Sequence, residues 1–284
     1  MGNQLPSDVT HVFPDSELQS FLEMAINVAK KAGDIQLSCK SKTYSTARKN
    51  HYDIVTEVDL ACEREIISEI RSRFPQHGFK SEEMDTSTDK SAEKTWQWII
   101  DPLDGTINYA AGLPFYSVSL ALQKKGVTEL GVIYAAEFGD MYVSIRGHGA
   151  FGNNIPLQVS SKGDLSNSVL SFMLTSHYSN EETEKIFQLV KALSPHVRGL
   201  RLLVSQALEL AYVASGRLEG HVCVKSRGFS AAAGTLLVRE AGGQVTDLAG
   251  NEFGNTSRNL VASCGSLHEK ILTIVGEANK LTWR

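Results

Sequence analysis

Two aspartates three positions apart, Asp101 and Asp104, stand in the segment "WQWIIDPLDGTINYAAGLPFYSVSLAL". A strand-like apolar run, Trp96 to Ile100, leads straight into them; Pro102 stiffens the turn and Gly105 permits close backbone approach. Carboxylates gathered in this way offer the oxygen ligands that a hard cation such as Mg2+ prefers. The backbone N–H groups of Gly105 and Thr106 would open a helix, where the unpaired donors and the dipole favour an anion such as phosphate. A metal-holding pair beside an anion cradle points to metal-assisted phosphoryl chemistry. Taken alone, Asp-Pro and Asp-Gly read more simply as turn formers.

The surrounding sequence changes that balance. Upstream lies "DIVTEVDLACEREI", with Asp53, Thr56 and Asp59, and then "GFKSEEMD", with Glu82 and Glu83 just before the strand. The ordered set D-x-V-T-x-x-D, E-E, D-P-x-D-G-T-x-N and a late A-A-G-x-x-x-x-x-E-A-G-G resembles the inositol monophosphatase family. The resemblance runs from the first helix to the last, and "LPFYSVSLAL", "GAFGNN" and "ELAYVASGRLEG" add to it. It implies an α/β fold, a layered αβαβα sandwich of the inositol monophosphatase and fructose bisphosphatase type. It also implies a phosphoric monoester hydrolase with two or three Mg2+ ions, and a homodimer.

By that likeness Glu82, Asp101 and the Leu103 carbonyl would hold the first metal, and Asp101 and Asp104 the second. Thr106, backed by Glu82 and Asp59, would position the attacking water, and the Gly105 and Thr106 amides would hold phosphate. Asp59 reads equally well as a helix N-cap. Arg48 and Lys49 fall where the family carries a basic residue, and read more simply as a solvated charge pair.

Two positions depart from the family pattern. Its late motif is W-D-x-A-A-G, whose Asp completes the second metal site; here Phe229 and Ser230 stand at the W-D positions. Ser230 removes a full negative charge from a site whose affinity depends on ligand charge. It is expected to cap the helix that follows. Cys223 stands where inositol-hydrolysing members carry a Glu that accepts hydrogen bonds from substrate hydroxyls; a thiol accepts weakly. The expected substrate is therefore a small phosphorylated sugar, cyclitol or related metabolite rather than inositol phosphate specifically. The alternatives are a catalytically weakened relative working through protein contacts, and a different enzyme reusing the phosphate pocket. Lys225 and Arg227 are nearby cations that could face phosphate.

Positioning such a site takes a full core, which 284 residues with 42% apolar content can build. Apolar residues at Leu18, Phe21, Leu22, Ala25, Val28, Ala29 and Ala32 predict one helix, and a second follows Asp59, burying Ile66, Ile67 and Ile70, with "RFPQHGF" as its exit. "WQWII", "YSVSLAL", "LGVIYA" and "MYVSI" predict a sheet of hairpins. Beyond "GAFGNNIPLQVS" strands "SVLSFML", "RGLRLLV", "HVCVK" and "NLVAS" alternate with helices, the last near residues 266 to 279. The expected division is an N-terminal α+β lobe, residues 1–155, carrying the metal motifs, and a C-terminal α/β lobe, residues 156–284, closing the site.

The balance of 28 basic and 32 acidic residues, net −4, follows no phosphate-backbone track, so nucleic acid is not an expected partner. Neither is a membrane. Four scattered cysteines suggest neither a zinc cluster nor a disulfide framework and fit a reducing cytoplasm. Eight dispersed histidines, at 11, 51, 77, 148, 177, 196, 221 and 268, are expected in core or solvent roles, and Trp96 and Trp98 in core and interlobe packing.

Overall fold

The structure, a computed structural model, describes residues 16–40, 46–48, 54–83, 94–175, 177–226 and 228–281. The one-face apolar period near the N-terminus becomes helix α1 (Ser16–Cys39), followed by a small hairpin, β1 (Thr46–Arg48) and β2 (Ile54–Thr56), and helix α2 (Glu57–Arg73). Seven strands then form one sheet: β3 (Gly78–Ser81), β4 (Trp96–Asp104), β5 (Ser117–Lys124), β6 (Val127–Ala135), β7 (Asp140–Ile145), β8 (Gly149–Gly152) and β9 (Ile155–Pro156). A short helix, α3 (Thr106–Ala110), interrupts between β4 and β5. From β4 onward every neighbour is the next strand and antiparallel, as hairpin spacing predicts; β3 alone pairs parallel, with β4.

The second sheet is woven from β10 (Val169–Phe172), β11 (Gly199–Arg201), β12 (Gly220–Cys223), β13 (Gly243–Thr246) and β14 (Leu260–Cys264), in the order β11-β10-β12-β14-β13. Its connecting helices are α4 (Asn180–Leu193), α5 (Gln206–Ala214) and α6 (Gly228–Glu240), and α7 (Gly265–Leu281) closes the chain. Three apolar clusters give five layers. Phe21, Leu22, Ile66 and Ile70 of α1 and α2 pack on one face of the large sheet. Leu210, Ala232 and Leu237 of α5 and α6 fill the space between Ile99 and Ile133 of the large sheet and Ala262 of the small one. Ile186, Leu189, Ile271 and Val275 of α4 and α7 cover the far face. The resulting sequence of layers is α, β, α, β, α.

The run "SAAAG" in α6 has a packing reason. A Cβ on Gly234 would lie 2.6 Å from the Leu210 side chain, and one on Gly131 of β6 would lie 3.0 Å from the Ala233 backbone. The small residues let α6 lie against β6 and α5 at once. Strand β4 divides its side chains by the two-residue period. Trp96, Trp98 and Ile100 pack among α1 and α2, whereas Ile99 faces α5 and α6. Both tryptophans thus serve the outer core and take no part in packing between the sheets.

Among the described residues no helix is long and apolar enough to cross a membrane. All four cysteines are free thiols. His77, His221 and His268 are core residues, as expected, whereas His11 and His51 lie outside the described residues.

Candidate active site

The end of β4 and the start of α3 deliver Asp101, Leu103, Asp104, Gly105 and Thr106 to one side of a narrow cleft of about 60 Å3, with Glu82 beside them and Ser230 opposite. Gly105 makes the turn possible: its φ is +97°, and a Cβ there would meet the Phe115 carbonyl at 3.0 Å. Glu82 is fixed through its neighbours. The buried Glu63 of α2 accepts from the Ser81 hydroxyl and, at 3.1 Å, from the Glu83 N–H, while the Glu82 N–H donates to the Ile100 carbonyl at 3.2 Å.

Asp59 sits at the third position of α2, not at its N-cap. The cap is Thr56, whose hydroxyl accepts from the Val58 and Asp59 N–H groups, and Asp59 Oδ2 closes a capping box by accepting the Thr56 N–H at 2.8 Å and the Thr56 hydroxyl. Its other oxygen is reached by a cleft residue: the Thr106 hydroxyl lies 3.1 Å from Asp59 Oδ1 and 3.0 Å from the Leu103 carbonyl. The structural and chemical readings of Asp59 therefore apply to different oxygens. Burial, partly offset by these hydrogen bonds, holds the Asp59 carboxyl above the usual carboxylate range.

Asp104 reaches across to the start of α5. It accepts from the Ser205 hydroxyl at 2.6 Å and from the Gln206 and Ala207 N–H groups at 3.2 and 2.8 Å. The carboxylate caps a helix 101 residues further along the chain. Val204, immediately before, takes φ +59°, a strained conformation for a β-branched residue, and lines the cleft.

Ser230 is inside the first turn of α6, which begins at Gly228, so it does not cap that helix. Its hydroxyl instead donates to Asp101 Oδ2 at 2.6 Å. Asp101 Oδ1 is buried with no hydrogen-bond partner among the described residues. Burial, then the charges of Glu82 and Asp104, raise the Asp101 carboxyl well above its ordinary range, and burial is the first cause that lifts Asp104 to about 6. Three carboxyl groups crowded into a desolvated cleft, one oxygen left without a donor, fit a hard cation: the donor set is all oxygen, and positive charge would relieve both burial and repulsion. Among the described residues no three acidic, His or Cys side chains already close into a metal cage; Asp101 is engaged by Ser230 and Asp104 by the start of α5.

Other predicted residues stand elsewhere. Cys223 ends β12 fully buried, 3.5 Å from the Tyr178 hydroxyl, and lies outside the cleft lining; burial pushes its thiol up to about 12. Lys225 pairs with Glu182 at 3.0 Å and donates to the His177 carbonyl at 3.3 Å. Arg48 lies in β1, and Asp53, Lys49 and Arg227 lie outside the described residues. The cleft wall also includes Met173, Thr175 and His177, which follow β10. His177 is thus a cleft residue, against the core or solvent role expected of it; no motif marks this wall.

Five layers with an acid-lined cleft between β4 and the α5–α6 layer define a class: layered αβαβα proteins with clustered carboxyls at the end of an interior strand. The chain belongs to the inositol monophosphatase family, whose sequence model matches residues 17–280. It is similar to Nus factor SuhB of Pasteurella multocida, 37% identical over 260 residues that cover 90% of this chain and 95% of that protein. It is 36% identical to inositol monophosphatase 1 of Solanum lycopersicum over 90% of this chain and 94% of that one. The solved structure of the Thermotoga maritima IMPase superposes with a TM-score of 0.83 at 33% identity, covering 92% of this chain and 99% of the other.

Proposed function

We propose that the protein is a Mg2+-dependent phosphomonoesterase acting on a small phosphorylated sugar, cyclitol or related metabolite, with a second metal position altered by Ser230. The observation that carries this reading is the Thr106–Asp59 hydrogen bond at 3.1 Å beside the Glu82, Asp101 and Asp104 carboxyls. In this reading Glu82, Asp101 and the Leu103 carbonyl would hold the first ion, and Asp101 and Asp104 the second. Bound Mg2+ would supply charge neutralisation and a more acidic water. Thr106 donates its hydroxyl hydrogen bond to Asp59 and so leaves a lone pair for the cleft, where it accepts from and orients the attacking water. The water oxygen bonds to phosphorus as the ester P–O bond breaks; the water gives up one proton and the departing alkoxide takes one up, leaving inorganic phosphate and the free alcohol. The Gly105 and Thr106 amides face the phosphate oxygens.

The same reading divides the chain into the lobes 1–155 and 156–284. The cross-cleft bonds from Ser230 to Asp101 and from Ser205 to Asp104 support a site that needs both. The protein is further proposed to be cytoplasmic and a homodimer, a state that light scattering would show as twice the 31.0 kDa chain.

The test is phosphate release across a panel of sugar, cyclitol and nucleotide monophosphates under Mg2+ titration. Asp101→Asn and Asp104→Asn should abolish release, and Ser230→Asp should raise it at low Mg2+. Absence of turnover in both the wild type and Ser230→Asp would overturn the reading. A second reading, a role through protein contacts, is favoured by the missing carboxylate at Ser230 and by the likeness to a protein named a Nus factor. It requires partner binding that Asp101→Asn leaves intact.

A further inference from the structure

Helix α6 turns a second face to a cavity. Gly228, Ala232, Thr235 and Arg239 fall at helical spacing and line a cavity of about 920 Å3, which shares no lining residue with the cleft. Around it stand six cations, Lys80, Lys94, Lys125, Arg146, Arg239 and Arg258. Among the described lining residues the acidic one is Glu252, which is 89% exposed and 3.9 Å from Arg239. Arg146 is also paired, 3.7 Å from Glu129, so among the described residues six cations meet two carboxylates, a positive excess in a chain of net charge −4.

The cations are partly built in. Arg239 Nη2 donates to the Phe253 carbonyl at 2.7 Å and Arg146 Nε to the Thr128 carbonyl at 2.8 Å, which fixes each guanidinium while leaving further N–H donors. Burial, opposed by Glu252 and reinforced by the nearby Arg146, lowers the pKa of Arg239. Asn255 ties the 252–258 loop over the sheet, donating to the Gly126 carbonyl at 2.7 Å and accepting from Gln123 at 3.2 Å. Ile99, Ala232 and Phe253 give the cavity an apolar wall.

Cations with forked donors around an apolar wall suit several phosphates carried on an organic body. The volume falls within the range of small-molecule pockets, roughly 300–1,000 Å3. An RNA strand would instead require an extended basic track. We propose that this cavity binds a small polyanion with two or more phosphate groups, a nucleoside polyphosphate by class, independently of the catalytic cleft.

The test is calorimetric titration of the full-length protein, in EDTA to silence metal-dependent phosphate binding in the cleft, with ATP, inorganic tripolyphosphate and adenosine. ATP and tripolyphosphate should each bind saturably at one site, and adenosine at least tenfold more weakly. Lys125→Gln/Arg258→Gln alters two exposed side chains, so circular dichroism should stay unchanged while the ATP Kd rises at least tenfold; Asp104→Asn in the cleft should leave that Kd unaltered. Three outcomes overturn the proposal: no saturable binding of ATP or tripolyphosphate, an ATP Kd indifferent to the double variant, or binding only to single-stranded RNA that tightens with its length.

Discussion

Ser230 donates to Asp101 where a carboxylate would repel it, and the two arrangements differ in what they ask of the solvent cation. In Ser230→Asp two carboxylates face one another across about one hydrogen-bond length in a buried cleft, which destabilises the metal-free protein. Mg2+ binding to the folded state should more than restore that loss. The expected result is a lower Tm than wild type in EDTA and a larger upward shift with Mg2+, read by differential scanning fluorimetry. Equal shifts in both proteins would mean that Ser230 is not at a metal position. Thr106 carries a separate expectation: Thr106→Ala should lower kcat by about 10²–10⁴ with little change in KM, while Thr106→Ser should keep most of the rate. Steady-state kinetics on the best substrate of the panel distinguishes these. The carboxylates themselves were legible because the D-P-L-D-G-T string concentrates them. Glu63, which pins Ser81 and Glu83 from 18 and 20 residues away, and Ser205, which meets Asp104 across 101, carry no local pattern. Cys223 falls at a substrate position by resemblance, but position in a string does not say that a thiol lies against Tyr178.

At the scale of elements, the long helices were readable from their apolar period, and the losses occurred where a short strand meets a breaker. Strand β3 hides in "RFPQHGF", whose Pro75 and Gly78 read as a helix exit, and its four residues are recognised only by pairing with β4. The predicted strand "RGLRLLV" shrinks to Gly199–Arg201. It pairs on one side alone, Leu202 is exposed, and Val204 leaves extended backbone at φ +59°. The small-residue run in α6 was visible, but its reason, the approach of Leu210 and β6, was not. That reason is testable. Gly234→Val forces side-chain volume against Leu210, where even a Cβ would sit at 2.6 Å, and should cost about 1–3 kcal/mol or more in urea unfolding. Thr56→Ala, which removes the α2 cap and one partner of Asp59, should cost about 1 kcal/mol. It should also reduce phosphate release, because Asp59 would keep the Thr56 N–H but lose the Thr56 hydroxyl, one of the two bonds that hold its Oδ2 while Oδ1 meets Thr106.

For the whole molecule, the outer core formed by α1, α2 and the large sheet sets a limit on acid stability through His77. The ring is buried among Phe21, Phe74 and Trp96, and its Nδ1 accepts the Trp98 indole N–H at 3.0 Å, so it is neutral when folded. Burial lowers its pKa to about 4, against about 6.5 for an unfolded histidine. Between these values the unfolded chain binds a proton that the folded protein refuses. Stability from this residue is therefore full above pH 6.5 and is lost as pH falls toward 4, with a slope of at most about 1.4 kcal/mol per pH unit. Buried carboxyls whose pKa is raised, such as Asp101, act with the opposite sign, gaining stability as pH falls, so the wild-type profile alone mixes the two. The variant comparison separates them: His77→Asn keeps an acceptor for the Trp98 indole but does not titrate. Urea unfolding of both proteins in EDTA should show a constant difference from pH 8 to 6.5, then a progressive loss in the wild type relative to His77→Asn toward pH 4. A difference that stays flat across the whole range would mean that His77 takes up its proton without leaving the aromatic pocket, and that the α1–α2 layer opens readily enough to admit water.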